Sequence, residues 1–113
     1  MAYTKDKAIE LANTFLGQVS KKYPIRSAYL FGSYAKGNQC EYSDIDIAVV
    51  LGRVKQDRYY EESFEIFHEA QKYNSLLEIL CFKEDEFEKD RGMIISKIKK
   101  EGIRIGIRNC SAI

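Results

Sequence analysis

The stretch from Phe31 to Leu51 reads FGSYAKGNQCEYSDIDIAVVL, and its reading decides the fold. Gly32-Ser33 closes one predicted strand, Arg26 to Phe31 (RSAYLF), and a second, Ile45 to Leu51 (IDIAVVL), begins just after Asp44. The ten residues between, Tyr34 to Ser43, are mostly small or polar. Gly37, Asn38 and Ser43 are turn formers, so this segment predicts a loop. Asp44 and Asp46 stand at i and i+2, and on an extended chain both point to one face. Two bare carboxylates side by side repel unless something positive lies between them. A divalent cation with oxygen ligands is the common remedy. A Gly-Ser turn at a strand end offers backbone N–H groups and a hydroxyl, a good seat for phosphate oxygens. One short stretch therefore supplies an anion seat and a cation seat, and a nucleoside triphosphate with Mg²⁺ needs both.

Upstream, Lys5 to Lys22 predicts an amphipathic helix, with Ala8, Leu11, Ala12, Phe15, Leu16 and Val19 on one stripe. Thr4 can cap it, and Tyr23-Pro24 breaks it. Downstream, Gln56 to Tyr73 predicts a second helix and Leu76 to Phe82 (LLEILCF) a third strand. A helical turn near Glu84 to Glu88, a helix from Gly92 to Lys100 and a short edge strand, Ile103 to Ile107, complete the reading. Glu101-Gly102 reads as a helix stop with Gly102 in a left-handed cap. Asn109 to Ile113 reads as a tail. The second strand is apolar beyond Asp46, which predicts a central strand buried on both faces. The third is apolar except for Glu78. A charge buried there needs a partner or a metal, and Glu78 completes a three-carboxylate cluster if this strand lies beside Asp44 and Asp46. The order of elements gives an α/β (α+β) sandwich with a small mixed sheet.

Composition bounds the rest. At 113 residues the chain is one domain, 1–113, with 45% apolar and 31% charged residues, as in an ordinary globular protein. A net charge of +1 gives no global field toward nucleic acid or membrane, which disfavours a polynucleotide substrate. No apolar run is long enough to span a bilayer and the first residues hold no signal-peptide core, so a cytoplasmic location is expected. Cys40, Cys81 and Cys110 form no CxxC pair, and they read as free thiols.

The spacing Gly32-Ser33, ten residues, Asp44-Ile45-Asp46 resembles the signature of the nucleotidyltransferase (DNA polymerase β-like) superfamily. The flanks GSYAKG and SDIDIAVV are similar to its minimal nucleotidyltransferase subfamily, single-domain proteins often paired with a helical HEPN partner. The resemblance implies a nucleotidyltransferase fold, a twisted sheet with helices packed on one side and the site at its edge. It implies that Asp44 and Asp46 bind two Mg²⁺ ions, that Glu78 ligates the catalytic one and helps deprotonate the acceptor, and that Gly32 and Ser33 hold the β- and γ-phosphates. Lys36 is a charge partner for the triphosphate. Glu78 departs from the subfamily, where the third acid is more often Asp. The implied activity is transfer of an NMP, AMP from ATP, to a hydroxyl of a partner macromolecule, as the antitoxin that adenylylates a HEPN toxin. A short chain also fits a site completed by a partner or by self-association. The alternative is a nucleotide-binding or steric antitoxin with little turnover.

Each residue also has a plainer reading. Asp44 can be a turn residue with Ser43, Asp46 can pair with Lys36 or Arg26, and Glu78 can be a salt-bridged strand residue. The Gly32 to Gly37 frame mimics a P-loop, but Asn38-Gln39 stands where Lys-Ser/Thr is required and no helix is expected to follow. His68, the only histidine, reads as a helix-surface residue.

Overall fold

The computed structural model describes residues 3–41, 43–52 and 56–106. Helix α1 (Lys5–Val19) starts where Thr4 accepts a hydrogen bond from the Lys7 N–H at 3.1 Å. It ends three residues before the predicted boundary, with Ser20 to Lys22 in a turn. Lys22 instead reaches Glu69 at 3.0 Å. Strand β1 (Ile25–Phe31) follows, then one helical turn, α2 (Ser33–Lys36), and strand β2 (Ile45–Leu51). Helix α3 (Gln56–Tyr73) crosses to β3 (Leu77–Lys83), and α4 (Glu84–Glu88), α5 (Met93–Glu101) and β4 (Ile103–Ile105) close the chain. The predicted tail, with Cys110, lies outside the described residues, as does Ile107 at the end of the predicted fourth strand.

The sheet order is β3-β2-β1-β4. β1 runs antiparallel to β2 and β4, while β2 and β3, joined by the α3 crossover, are parallel. β2 is central as predicted. Ile45, Ile47, Val49 and Leu51 face one core with Leu16, Leu30, Ile66 and Leu77. Ala48 and Val50 face the other, with Phe82, Phe87, Ile95 and Ile98. Each large apolar side chain so buried contributes on the order of 1.5–3 kcal/mol. The long helices α1 and α3 cover the first face. The short α4 and α5 add partial cover on the second, which the bearing of Phe87, Ile95 and Ile98 makes necessary.

Three local readings change. The predicted loop after Gly32 holds the turn α2, because Tyr34 is fully buried and pins it to the core. β3 is an edge strand whose side chains alternate: Leu77 and Ile79 are buried, Glu78 and Leu80 exposed. Glu78 is therefore not a buried charge. Gly102 is extended, at φ −73° and ψ 156°, not left-handed. A Cβ there would crowd the Ile98 carbonyl that accepts the Gly102 N–H at 2.7 Å, so close approach, not backbone handedness, selects glycine.

Candidate active site at the end of the sheet

Strand register lines up the acidic residues. Asp46 is paired with Phe31 on one side and with Glu78 on the other, so the row Phe31–Asp46–Glu78 crosses three strands. Directly paired residues share a face, here the one carrying Ala48, Val50 and Phe82. Asp46 is held in place by its neighbours, since Ile45 and Ile47 are fully buried on the opposite face. Asp44 is exposed, two residues earlier, just ahead of β2.

Gly32 lies against the same carboxylate. Its φ of 76° and ψ of −151° fall in a region essentially reserved for glycine. A Cβ on Gly32 would collide with Asp46 Oδ2 and lie 3.2 Å from Asp46 Cγ. Ser33 opens α2, and its carbonyl accepts from the N–H groups of Gly37 and Asn38. The turn after β1 is thus pressed onto the first acid of the strand beside it.

The electrostatics are those of crowded acids. A hydrogen bond with Asp44, then partial burial and the charges of Asp44 and Asp46, raise the pKa of Glu78 above the ordinary carboxylate range. Burial and then the Asp44 charge raise that of Asp46. Among the described residues no lysine or arginine forms an ion pair with any of the three. Arg26 is taken by Glu84 at 2.8 Å and Lys36 by Glu101 at 3.8 Å, so the plainer pairings for Asp46 are not made.

The donor set suits a hard divalent cation, being all carboxylate oxygen with uncompensated charge. The arrangement is pairwise, however: among the described residues no three candidate ligands converge tightly enough to hold a metal ion. Lys36 flanks a cavity of about 200 Å³ beside Gly32, walled by Phe31, Ala35, Ile94, Ile98 and Glu101.

His68 is exposed and sits edge-on to Phe64 at 4.3 Å between ring centroids. Cys40 and Cys81 are free thiols, and burial pushes Cys81 up to about 11, which keeps it a thiol at neutral pH. Sequence reasoning did not find the Gly32–Asp46 contact or the Asp46–Glu78 register. Both join segments remote in sequence, and residue type alone carries no sign of them.

The family described as polymerase beta, nucleotidyltransferase, matches residues 16–110. The chain belongs to this family. A candidate protein adenylyltransferase of Methanocaldococcus jannaschii is 38% identical over 82 residues, 73% of this chain. The nucleotidyltransferase chain spans 64% of that protein's length. Among solved structures, a candidate nucleotidyltransferase from Sulfolobus solfataricus superposes with a TM-score of 0.65 at 23% identity, covering 92% of this chain and 84% of its own. A toxin–antitoxin structure with AMP-PNP gives a TM-score of 0.59 at 19% identity, covering 94% and 75%. At these identities the two structures establish a shared fold. No helix among the described residues is long and apolar enough to cross a membrane.

Proposed function

We propose that this nucleotidyltransferase moves an NMP, AMP from ATP, onto a hydroxyl of a partner protein in the cytoplasm. In this reading it acts as one 1–113 domain and as the antitoxin of a HEPN-type toxin. The observation that carries the reading is the row Phe31, Asp46, Glu78 across three adjacent strands, with Gly32 pressed against Asp46 and Asp44 just ahead of β2. The name of the M. jannaschii relative and the AMP-PNP toxin–antitoxin structure support it.

Asp44, Asp46 and Glu78, drawn together from the pairwise arrangement above, would hold Mg²⁺, which when bound supplies charge neutralisation at the phosphate oxygens. The Gly32 and Ser33 backbone seats the β- and γ-phosphates, and Lys36, exchanging Glu101 for phosphate, adds a positive charge there. The acceptor oxygen bonds to the α-phosphorus as the bond to the bridging oxygen breaks. Pyrophosphate departs with that electron pair, and the hydroxyl proton passes to the Glu78 carboxylate. The protein's part is placement and electrostatics.

The test is label transfer from α-labelled ATP with Mg²⁺ in lysate of the source cells, wild type against Asp46→Ala. A labelled protein band with wild type that is lost with the variant is expected. Mg²⁺-dependent nucleotide binding without label from any of the four NTPs would replace this reading by that of a binding module with little turnover.

A further inference from the structure

Transfer with attacking and leaving oxygens in line needs the acceptor and the pyrophosphate on opposite sides of the α-phosphorus. With the leaving end at Gly32, just after β1, and Asp46 on β2 between them, the acceptor side is that of Glu78, on β3. β3 is the outer strand of the sheet there. What lies beyond it is helix α3.

Tyr60, Phe64, Phe67 and Gln71 recur at helical spacing and form one stripe on α3. The Gln71 amide donates to the Leu77 carbonyl at 2.5 Å, and the Tyr59 hydroxyl donates to the Cys81 carbonyl at 2.7 Å. These bonds fix α3 alongside β3, and the first brings one end of the stripe beside Glu78's neighbour. They also occupy two carbonyls of the edge strand, so an incoming chain cannot simply extend the sheet. The aromatic side chains are left to be read. Tyr60 is 73% exposed, Phe64 63% and Phe67 38%, and Leu80, on the Glu78 face of β3, is 38% exposed.

We propose that this flank of α3, with Leu80, is the surface on which the acceptor protein docks to bring its hydroxyl to Glu78. The inference rests on the transferase reading above and adds the place of docking. The three rings present roughly 350 Å² of aromatic surface, taking about 200 Å² for each whole side chain. That matches the largest apolar patches of monomers, which are often functional. Tyr60 to Gln71 runs about 16 Å at the helical rise, longer than a small hydroxyl compound can cover. The same segment holds no lysine or arginine, and three of its four glutamates, Glu62, Glu65 and Glu69, are already engaged by Arg58, Tyr23 and Lys22. A polynucleotide, which binds through phosphate contacts to basic residues, is therefore disfavoured. The occupant is a protein with an apolar patch that covers these rings and Leu80.

The test compares Phe64→Glu and Tyr60→Glu with wild type in label transfer from α-labelled ATP, to lysate protein and to N-acetyltyrosinamide. Met93→Glu, on the exposed start of α5, is the surface control. Both α3 variants are expected to label the protein band at least tenfold less. Transfer to N-acetyltyrosinamide and Mg²⁺-dependent ATP binding stay at the wild-type level, and Met93→Glu labels like wild type. Full labelling of the protein by both α3 variants would overturn the proposal, as would equal loss with Met93→Glu, equal loss on the small acceptor, or a labelled band that ribonuclease removes. Wild type that labels no acceptor at all overturns the transferase reading first, and this one with it.

Discussion

Replacing Gly32 by alanine tests the contact on which the site is built. The backbone at φ 76° and ψ −151° costs a non-glycine residue about 1–3 kcal/mol. The new Cβ also meets Asp46 Oδ2, and neither side gives easily, since Gly32 caps α2 and Asp46 is fixed between two buried isoleucines. The collision adds about 1–2 kcal/mol, in the range measured for touching residues. The sum, about 2–5 kcal/mol, is a large share of a small domain's stability and lowers Tm by about 8–25 °C. Removing the carboxylate separates the two parts. In an Asp46→Ala background the backbone strain remains and the collision is gone, so Gly32→Ala should cost about 1–3 kcal/mol there. Urea denaturation of wild type, both single variants and the double variant closes the cycle, with a coupling of about 1–2 kcal/mol expected. Equal losses in both backgrounds would refute the claim that Gly32 and Asp46 touch.

Two further outcomes follow from the same site. Asp46 and Glu78 hold their protons more tightly folded than unfolded, so the fold loses stability as pH rises from about 4 through their raised values. Thermal melts in EDTA from pH 4 to 8 should show that decline, and Asp46→Asn should flatten it, gaining about 0.5–1 kcal/mol at pH 8 after solvent screening. A variant less stable than wild type at pH 8 would contradict the crowding of these acids. Tyr34 is fully buried and its hydroxyl has no partner among the described residues. Tyr34→Phe should leave Tm unchanged or raise stability by up to about 1 kcal/mol, and a clear loss on melting would mean the hydroxyl is satisfied.

The parts of this fold that sequence disclosed are those set by local periodicity. The apolar run of β2, the amphipathic α3 and the Gly32-Ser33 to Asp46 spacing each carry their own signal, and the elements appear where expected. What was hidden depends on neighbours. The burial of Glu78 was overread because LLEILCF looks uniformly apolar, while the strand has a partner on one side only and lets Glu78 and Leu80 face outward. The α2 turn was missed because its anchor, Tyr34, stands among small and polar residues that suggest a loop. Gly102 is needed for its lack of a side chain, not for the backbone freedom that its place after a helix suggests. The three acids stand out in the sequence by residue type, but their closeness rests on parallel pairing of β2 with β3, which no local pattern encodes.

That pairing also bears on when the protein can act. Asp44 and Asp46 leave the ribosome well before Glu78, and β3 can join β2 only after α3 has been made and folded back. A growing or truncated chain therefore has the Gly32 turn and two acids but lacks the third, and the row of acids is complete only once synthesis has passed the α3 crossover.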